Sequence, residues 1–381
     1  MRNTVNFILV KQINASLFNG QWTITAQREL NRKKEKRMSQ FIQLHLLTSY
    51  APSNLNRDDL GRPKTAKMGG FERLRVSSQS LKRHWRTSEV FETALAGKIG
   101  VRTKRFGRQL YSELVEQGVT EKSAKAWAAE IAGVFGQIKK DQLDIEQLVH
   151  ISPEEQDAAR SLVAILAEEN RAPKKEELDL LKADHAAADI ALFGRMLASS
   201  PSFNVEAACQ VAHALSVHSV VVEDDYFTAV DDLNNKKEDA GSAHLGEAGF
   251  AAALFYSYIC INKTQLIDNL QGDEALADSA IKALTEAAVK VAPSGKQNSF
   301  ASRAYASFVL AEKGEHQPRQ LSVAFLKPIN DPDQGQAAVA ALNDQVQKFD
   351  QVYGECADSR YALNVFEGSG SFDELLNFVT E

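Results

Sequence analysis

No apolar run in the 381-residue chain approaches the roughly 20 residues that cross a bilayer as a helix, and the short apolar stretch at 7–10 is cut by Lys11. The sequence therefore predicts neither membrane insertion nor export. Cysteine is scarce. Cys209, Cys260 and Cys356 lie too far apart for a CxxC pair, and their odd number argues against a disulfide framework, so a reducing cytoplasm fits best. The histidines show no HExxH spacing, and neither GxSxG nor a P-loop occurs. No cofactor is called for. With 44% apolar and 25% charged residues the composition is that of an ordinary globular protein. A chain of this length builds one main body with an inserted subdomain, because single cores stop growing near roughly 250 to 300 residues.

What is present is a segregation of charge behind the net value of -6. Residues 57–108 hold 14 Lys/Arg against 5 Asp/Glu, and residues 1–37 hold 8 against 2, whereas residues 109–381 hold 22 against 43. A basic segment on an acidic protein predicts a localised polyanion site, because the acidic remainder repels nucleic acid elsewhere. The first 37 residues have no clear period and end in Arg32-Lys33-Lys34-Glu35-Lys36-Arg37 before Met38. Lys and Glu codons are purine-only and Arg codons can be, so this hexapeptide reads as a translated ribosome-binding leader, with synthesis starting at Met38. The competing reading is a flexible basic arm. Intact mass of the natively expressed protein separates the two.

From Met38 the pattern is α+β. Ile42, Leu44 and Leu46 alternate with Gln43 and His45, the period of a half-buried strand. A loop rich in turn formers spans 51–70 and carries Arg57, Arg62, Lys64 and Lys67, too long for a mere connection. A short strand at 74–76 precedes Ser77-Ser78, which can cap a helix running to about Leu95, with Gly97 as its stop. Residues 109–195 read as helical throughout, with helix starts at Ser152-Pro153 and Ala172-Pro173, and form an inserted helical subdomain. Strands at 219–222 and 254–261 form a long hairpin, about 216–262. Further strands are expected at 307–310 and 321–325, then a helix over 333–353 and a terminal helix from Phe372. The resulting division is 38–95, 96–195 and 196–381.

The helix after Ser78 is the most legible element. At 100° per residue Leu81, His84, Trp85, Ser88, Phe91 and Leu95 share one side, while Gln79, Lys82, Arg83 and Arg86 share the other. Lys82 and Arg86 repel at i, i+4 unless a partner intervenes, and an anionic ligand is one such partner. Ser77, Ser78 and Ser80 lie where a helix start favours phosphate, and their hydroxyls can bind or cap. With Arg57 and Lys64 they make a track suited to a sugar-phosphate backbone of any sequence. Tyr226-Phe227 beside Asp224-Asp225 on the hairpin suggests an exposed wedge that stacks on bases, although strand alternation buries one of the pair in the alternative reading. A metal-dependent RNA nuclease using Asp58 and Asp59 near His45 or His84 is the rival reading. Against it, adjacent carboxylates on an extended loop point different ways.

Several ordered motifs resemble one family. Leu55-Asn56-Arg57-Asp58-Asp59, Arg75-Val76-Ser77-Ser78-Gln79-Ser80-Leu81-Lys82-Arg83, Asp189-Ile190-Ala191 with Gly194-Arg195-Met196, Phe227-Thr228-Ala229-Val230-Asp231-Asp232-Leu233 and Gly241-Ser242-Ala243-His244-Leu245-Gly246 resemble CasC, the backbone subunit of type I-E CRISPR Cascade. The match begins at Met38 and runs to about residue 265, with Lys296-Gln297 as a late motif. Two positions depart from the family's pattern: Phe71-Glu72 intervenes between the glycine pair and Arg73, and Tyr226 replaces a bulkier indole. The resemblance implies an RRM-like (ferredoxin-like) palm, the helical insertion as fingers and the β-hairpin as a thumb. It also implies a non-catalytic protein whose copies line up head to tail on a crRNA guide, beside other Cascade subunits. The exposed guide bases pair with the target DNA strand. By motif, Arg57, Lys64, Gln79, Lys82, Arg83 and Arg86 hold phosphates, Arg195 and Met196 lie beside a displaced base, and Tyr226, Phe227 and Thr228 form the thumb contact. Ser77, Ser80, Lys296 and Gln297 complete the RNA-binding set.

Overall fold

The computed structural model describes residues 39–140, 142–183, 186–229 and 244–381. The expectations for 1–37, for Met38 and for the hairpin tip at 230–243 lie outside these residues. Strand β1, Phe41–Ser53, starts where the alternation starts. Ile42, Leu44 and Leu46 are buried, but so are Gln43 and His45, at 3% and 0% exposure. The half-buried reading is corrected: apolar layers cover both faces of the sheet. His45 fits there because the Tyr256 hydroxyl lies 2.9 Å from Nδ1 and its Nε2 faces Glu312 at 3.2 Å. Arg319 and Arg360 also bond that carboxylate, and they complete its pairing.

The turn-rich stretch contains a strand of its own. β2, Thr65–Met68, and β3, Phe71–Val76, pair antiparallel around Gly69 and Gly70, both at positive φ (61° and 86°). A Cβ at Gly69 would lie 1.8 Å from the Leu326 carbonyl oxygen, so only glycine fits that close approach. The helix predicted to reach residue 95 breaks into α1, Ser78–Arg86, and α2, Glu89–Ala94. Ser88 makes the break, donating its hydroxyl to Trp85 O and accepting from the Phe91 amide.

Residues 106–197 build an apolar cluster of their own around Phe106, Leu110, Trp127, Ile131, Leu162 and Leu166. Its helices are α3 (Phe106–Glu116), α4 (Glu121–Gly133) and α5 (Pro153–Glu169), the last starting at Ser152 with a capping box completed by Glu155. The region is not helical throughout, however: β4 (Val101–Thr103) pairs with β5 (Val149–Ile151). Beyond Pro173 there is only a 3-10 turn, Lys175–Leu178, before the short α6, Ala188–Phe193.

After β6 (Cys209–Val211) and β7 (Ala214–Ser216), the expected strand at 219–222 is irregular chain. The first hairpin arm is β8, Glu223–Ala229, paired with the start of β9, His244–Asn262. From Ala251 to Asn262, β9 pairs with β1 along one edge and with β6 and β7 along the other. Helices α7 (Lys263–Asn269), α8 (Glu274–Lys290) and α9 (Gln297–Phe300) follow, then β10, Phe308–Gly314. The strand expected at 321–325 is a 3-10 turn, Ser322–Phe325. Helix α10, Gln334–Tyr353, starts at Asp333 as read, and β11 (Ser359–Asn364) and α11 (Phe372–Phe378) end the chain. The main sheet runs β11-β10-β1-β9-β7-β3-β2, with β6 and β8 also on β9, and every pairing is antiparallel. This is a mixed α+β fold with eleven α-helices among the described residues. No helix among them is long and apolar enough to cross a membrane.

Candidate nucleic-acid interface

Helix α1 buries Leu81 and Trp85, at 6% and 2% exposure, and this sets which residues face outward. Gln79 and Arg83 are exposed and Lys82 half-buried, and neither Lys82 nor Arg83 forms an ion pair with a described carboxylate. Arg86 is different. Its guanidinium turns to the buried Asp189 at 3.3 Å, where His150 Nε2 (2.7 Å) and the Gly100 amide also converge. These partners hold the Asp189 carboxyl below its ordinary range against the effect of burial. The repulsion between Lys82 and Arg86 is therefore offset inside the protein, and Arg86 braces α1 through Nη1.

The start of α1 is also more occupied than the serine cluster suggests. Ser77 is buried and its hydroxyl caps the helix by accepting from the Ser80 amide at 3.4 Å. The Ser77 amide donates to Asn56 Oδ1 and the Ser78 amide to His213 Nδ1. Burial, with the Arg75 and Lys64 charges nearby, holds the His213 ring below its ordinary value, in keeping with an Nδ1 that accepts. The Ser77, Ser78 and Ser80 amides thus spend their protons internally. The cations beside it, Lys64 and Arg75, remain partly exposed.

Beside α1 lies a groove of about 560 Å³ lined by Arg57, Asp58, Ser80, His84, Ser294 and Lys296. A second hollow of about 290 Å³ shares Arg57 and Lys296 and reaches Arg62, Asp224 and Glu247 at the base of the hairpin. The structure therefore brings Lys296, far away in sequence, next to Arg57 and Ser80. It does so through Gly295, where a Cβ would lie 2.2 Å from the Leu55 carbonyl oxygen. Gln297 beside it accepts from the Ser302 hydroxyl. Asn54 bonds both Gly61 O and Gly249 O at 2.9 Å, and so ties the basic loop to the hairpin.

On the hairpin, Tyr226, Phe227 and Thr228 are all exposed, the two rings at 67% and 42%. Alternation buries neither aromatic, and among the described residues β8 pairs with no strand but β9. The Phe227 ring lies over Gly246, its register partner, where a Cβ would meet the ring at 2.3 Å.

Arg195 and Met196 separate. The Arg195 side chain is 1% exposed and spends its guanidinium on Glu155 (2.7 and 2.9 Å), Lys182 O and Phe203 O. The Arg195 guanidinium is therefore engaged within the protein. Arg195 and Leu197 point inward and Met196, 78% exposed, points outward between them. Of the rival carboxylate site, Asp58, Asp59 and His84 line this same groove, but no group of three His, Cys, Asp or Glu among the described residues is placed to hold a metal ion. Asp58 Oδ1 accepts the Leu60 and Arg62 amides, and His45 is buried within the sheet. Ser294, in a loop with no periodic signal, was missed in sequence, and His84 was assigned to the packing side and to the rival nuclease reading, not to an RNA groove.

The family model for CT1975-like protein matches residues 42–374. No curated protein sequence matches the chain. Among solved structures, a chain of a CRISPR RNA-guided surveillance complex, pre-nicking, is 30% identical, covering 89% of this chain and 99% of its own with a TM-score of 0.77. A chain of another CRISPR RNA-guided surveillance complex is 26% identical over 89% of this chain and 98% of its own, with a TM-score of 0.57. The chain therefore belongs to the CT1975-like protein family, the CRISPR Cascade backbone subunits that its motifs resemble.

Proposed function

We propose that this protein is the non-catalytic, crRNA-holding backbone subunit of a type I-E Cascade in the cytoplasm. Copies stack head to tail along the guide, bound by other Cascade subunits at the ends, and leave guide bases free to pair with the target DNA strand. In this reading 38–95 and most of 196–381 are an RRM-like palm, 96–195 the fingers and the β8–β9 hairpin the thumb. The observation that carries it is the convergence of Arg57, Ser80 and Lys296 on one groove, with Lys82 and Arg83 on other faces of the same helix and without a carboxylate partner among the described residues. Cations without protein counter-ions suit a sugar-phosphate backbone and do not read sequence. The separate apolar cluster of 106–197 supports a finger unit, and exposed Met196, Tyr226 and Phe227 supply apolar and aromatic surface for bases.

The test is to purify the protein from cells carrying its own CRISPR array and complex partners, then sequence the bound nucleic acid. RNAs of uniform length, each a repeat fragment joined to a spacer, are expected. Random RNA, or none, would refute the backbone role.

A further inference from the structure

The groove beside α1 contains an acceptor that a phosphate track does not need. His84 Nδ1 lies 2.7 Å from the carbonyl oxygen of Ser80. A carbonyl only accepts, so Nδ1 carries a proton, and the tautomer this selects presents Nε2 as an acceptor. Nε2 lies 2.8 Å from the Ser294 hydroxyl, which must then donate to it. The Ser294 proton is thereby committed inward, and its oxygen faces solvent with lone pairs only. Ser294 is exposed, and the close approach of Gly295 to Leu55 fixes the loop that carries it.

A phosphate oxygen has no proton to give, and Arg57 and Lys296 on the same groove are the phosphate partners in the reading above. An acceptor on the same groove as such cations is suited to a ligand carrying a hydroxyl beside each phosphate. From this geometry we infer that Ser294, oriented by His84, accepts the ribose 2′-hydroxyl of the bound strand and makes this groove selective for RNA over DNA. The inference rests on the RNA-holding reading above and names the atom that discriminates. Asp59 lines the same groove but is not fixed by a comparable relay, and Asp58 Oδ1 is engaged by two backbone amides. The 2′-hydroxyl is the group by which proteins tell the two nucleic acids apart.

The experiment measures binding of the full chain to single-stranded oligonucleotides of one sequence made as RNA, DNA and 2′-fluoro RNA. The fluoro form keeps an RNA-like sugar but has no proton to donate. The wild type is expected to bind RNA about 5-fold more tightly than either of the others, the worth of roughly one hydrogen bond. In Ser294→Ala, and fully in Ser294→Ala/His84→Phe, that ratio falls to about one while DNA affinity is unchanged, as loss of one hydrogen bond requires. Equal binding of RNA and 2′-fluoro RNA by the wild type, or a ratio that survives both variants, overturns the assignment and leaves the phosphate track standing. If none of the oligonucleotides binds, the RNA-holding reading fails and this inference fails with it.

Discussion

Replacing Glu155 by Ala tests whether the loop that presents Met196 is held by charge pairing. Glu155 and Arg195 have side chains at 0% and 1% exposure and meet at 2.7 Å, and the same carboxylate receives the Ser152 and Lys182 amides. Removing one member of a buried pair leaves the other charged and desolvated, at about 3 to 5 kcal/mol. Loss of the Glu155 half of the capping box adds about 1 kcal/mol. Glu155→Ala is therefore expected to destabilise the 106–197 core by about 4 to 6 kcal/mol. Glu155→Gln/Arg195→Met retains a capping side chain and buries no charge, so it should lose only about 1 to 2 kcal/mol. Urea denaturation reads both through Trp127, which is in this core, once Trp22 and Trp85 are replaced by Phe. A single-variant loss under about 1 kcal/mol, or a double variant as unstable as the single, would show that the pair is not what fixes the loop.

Lys82→Ala/Arg83→Ala should flatten the slope of log K against log salt for RNA by about 1.4, roughly 0.7 per phosphate on a single strand. Arg86→Ala should instead lower the melting temperature and leave that slope within error, because Asp189 already holds the guanidinium. Tyr226→Ala and Phe227→Ala should each weaken RNA binding by about 1 to 3 kcal/mol, and Tyr226→Ala should leave the urea midpoint unmoved, since its ring is 67% exposed. Stability should decline with acid in two stages. His45 is held below its ordinary 6.5 by burial, so the unfolded chain takes up that proton first and stability falls as pH drops below 6.5. Glu312 is held well below its ordinary 4.5 by His45, Arg319 and Arg360, despite its burial, so its contribution is present above 4.5 and fades below it. His213, also held below its ordinary value, shares the first stage, so His45→Gln should shrink that stage in a plot of urea midpoint against pH and keep the second.

Local signals made the helices with caps legible: Ser77 before α1, Ser152-Pro153 before α5 and Asp333 before α10 all work through hydroxyls or carboxylates a few residues from the amides they bind. The basic face of α1 was legible for the same reason, being a matter of spacing along one helix. Pairings over long distances were not. Arg86 reads as a free cation until Asp189, 103 residues later, is folded against it, and Arg195 reads as a contact until Glu155 consumes it. Arg73 also looks like surface charge, yet it is fully buried and donates to Ser216 O and Phe325 O. Strand 219–222 failed because a run of valines has β-propensity without a partner edge, whereas polar Glu223–Ala229 has β9 to pair with. Ser294 and His84 became visible only when Gly295 brought residues 240 apart against Leu55.

Strand β9 has one further consequence, which is mechanical. Its last twelve residues are gripped by β1, β6 and β7, but among the described residues its first seven pair with no strand but β8, so the hairpin is a cantilever built into the sheet. The built-in end is at Gly249, where Asn54 bonds the carbonyl and Pro63 packs at 3.1 Å. A load on Tyr226 or Phe227 therefore bends the overhang about that point and leaves the register of β9 with β1 intact. Lengthening the hairpin beyond Gly249 would change its reach and compliance with no rearrangement of the root.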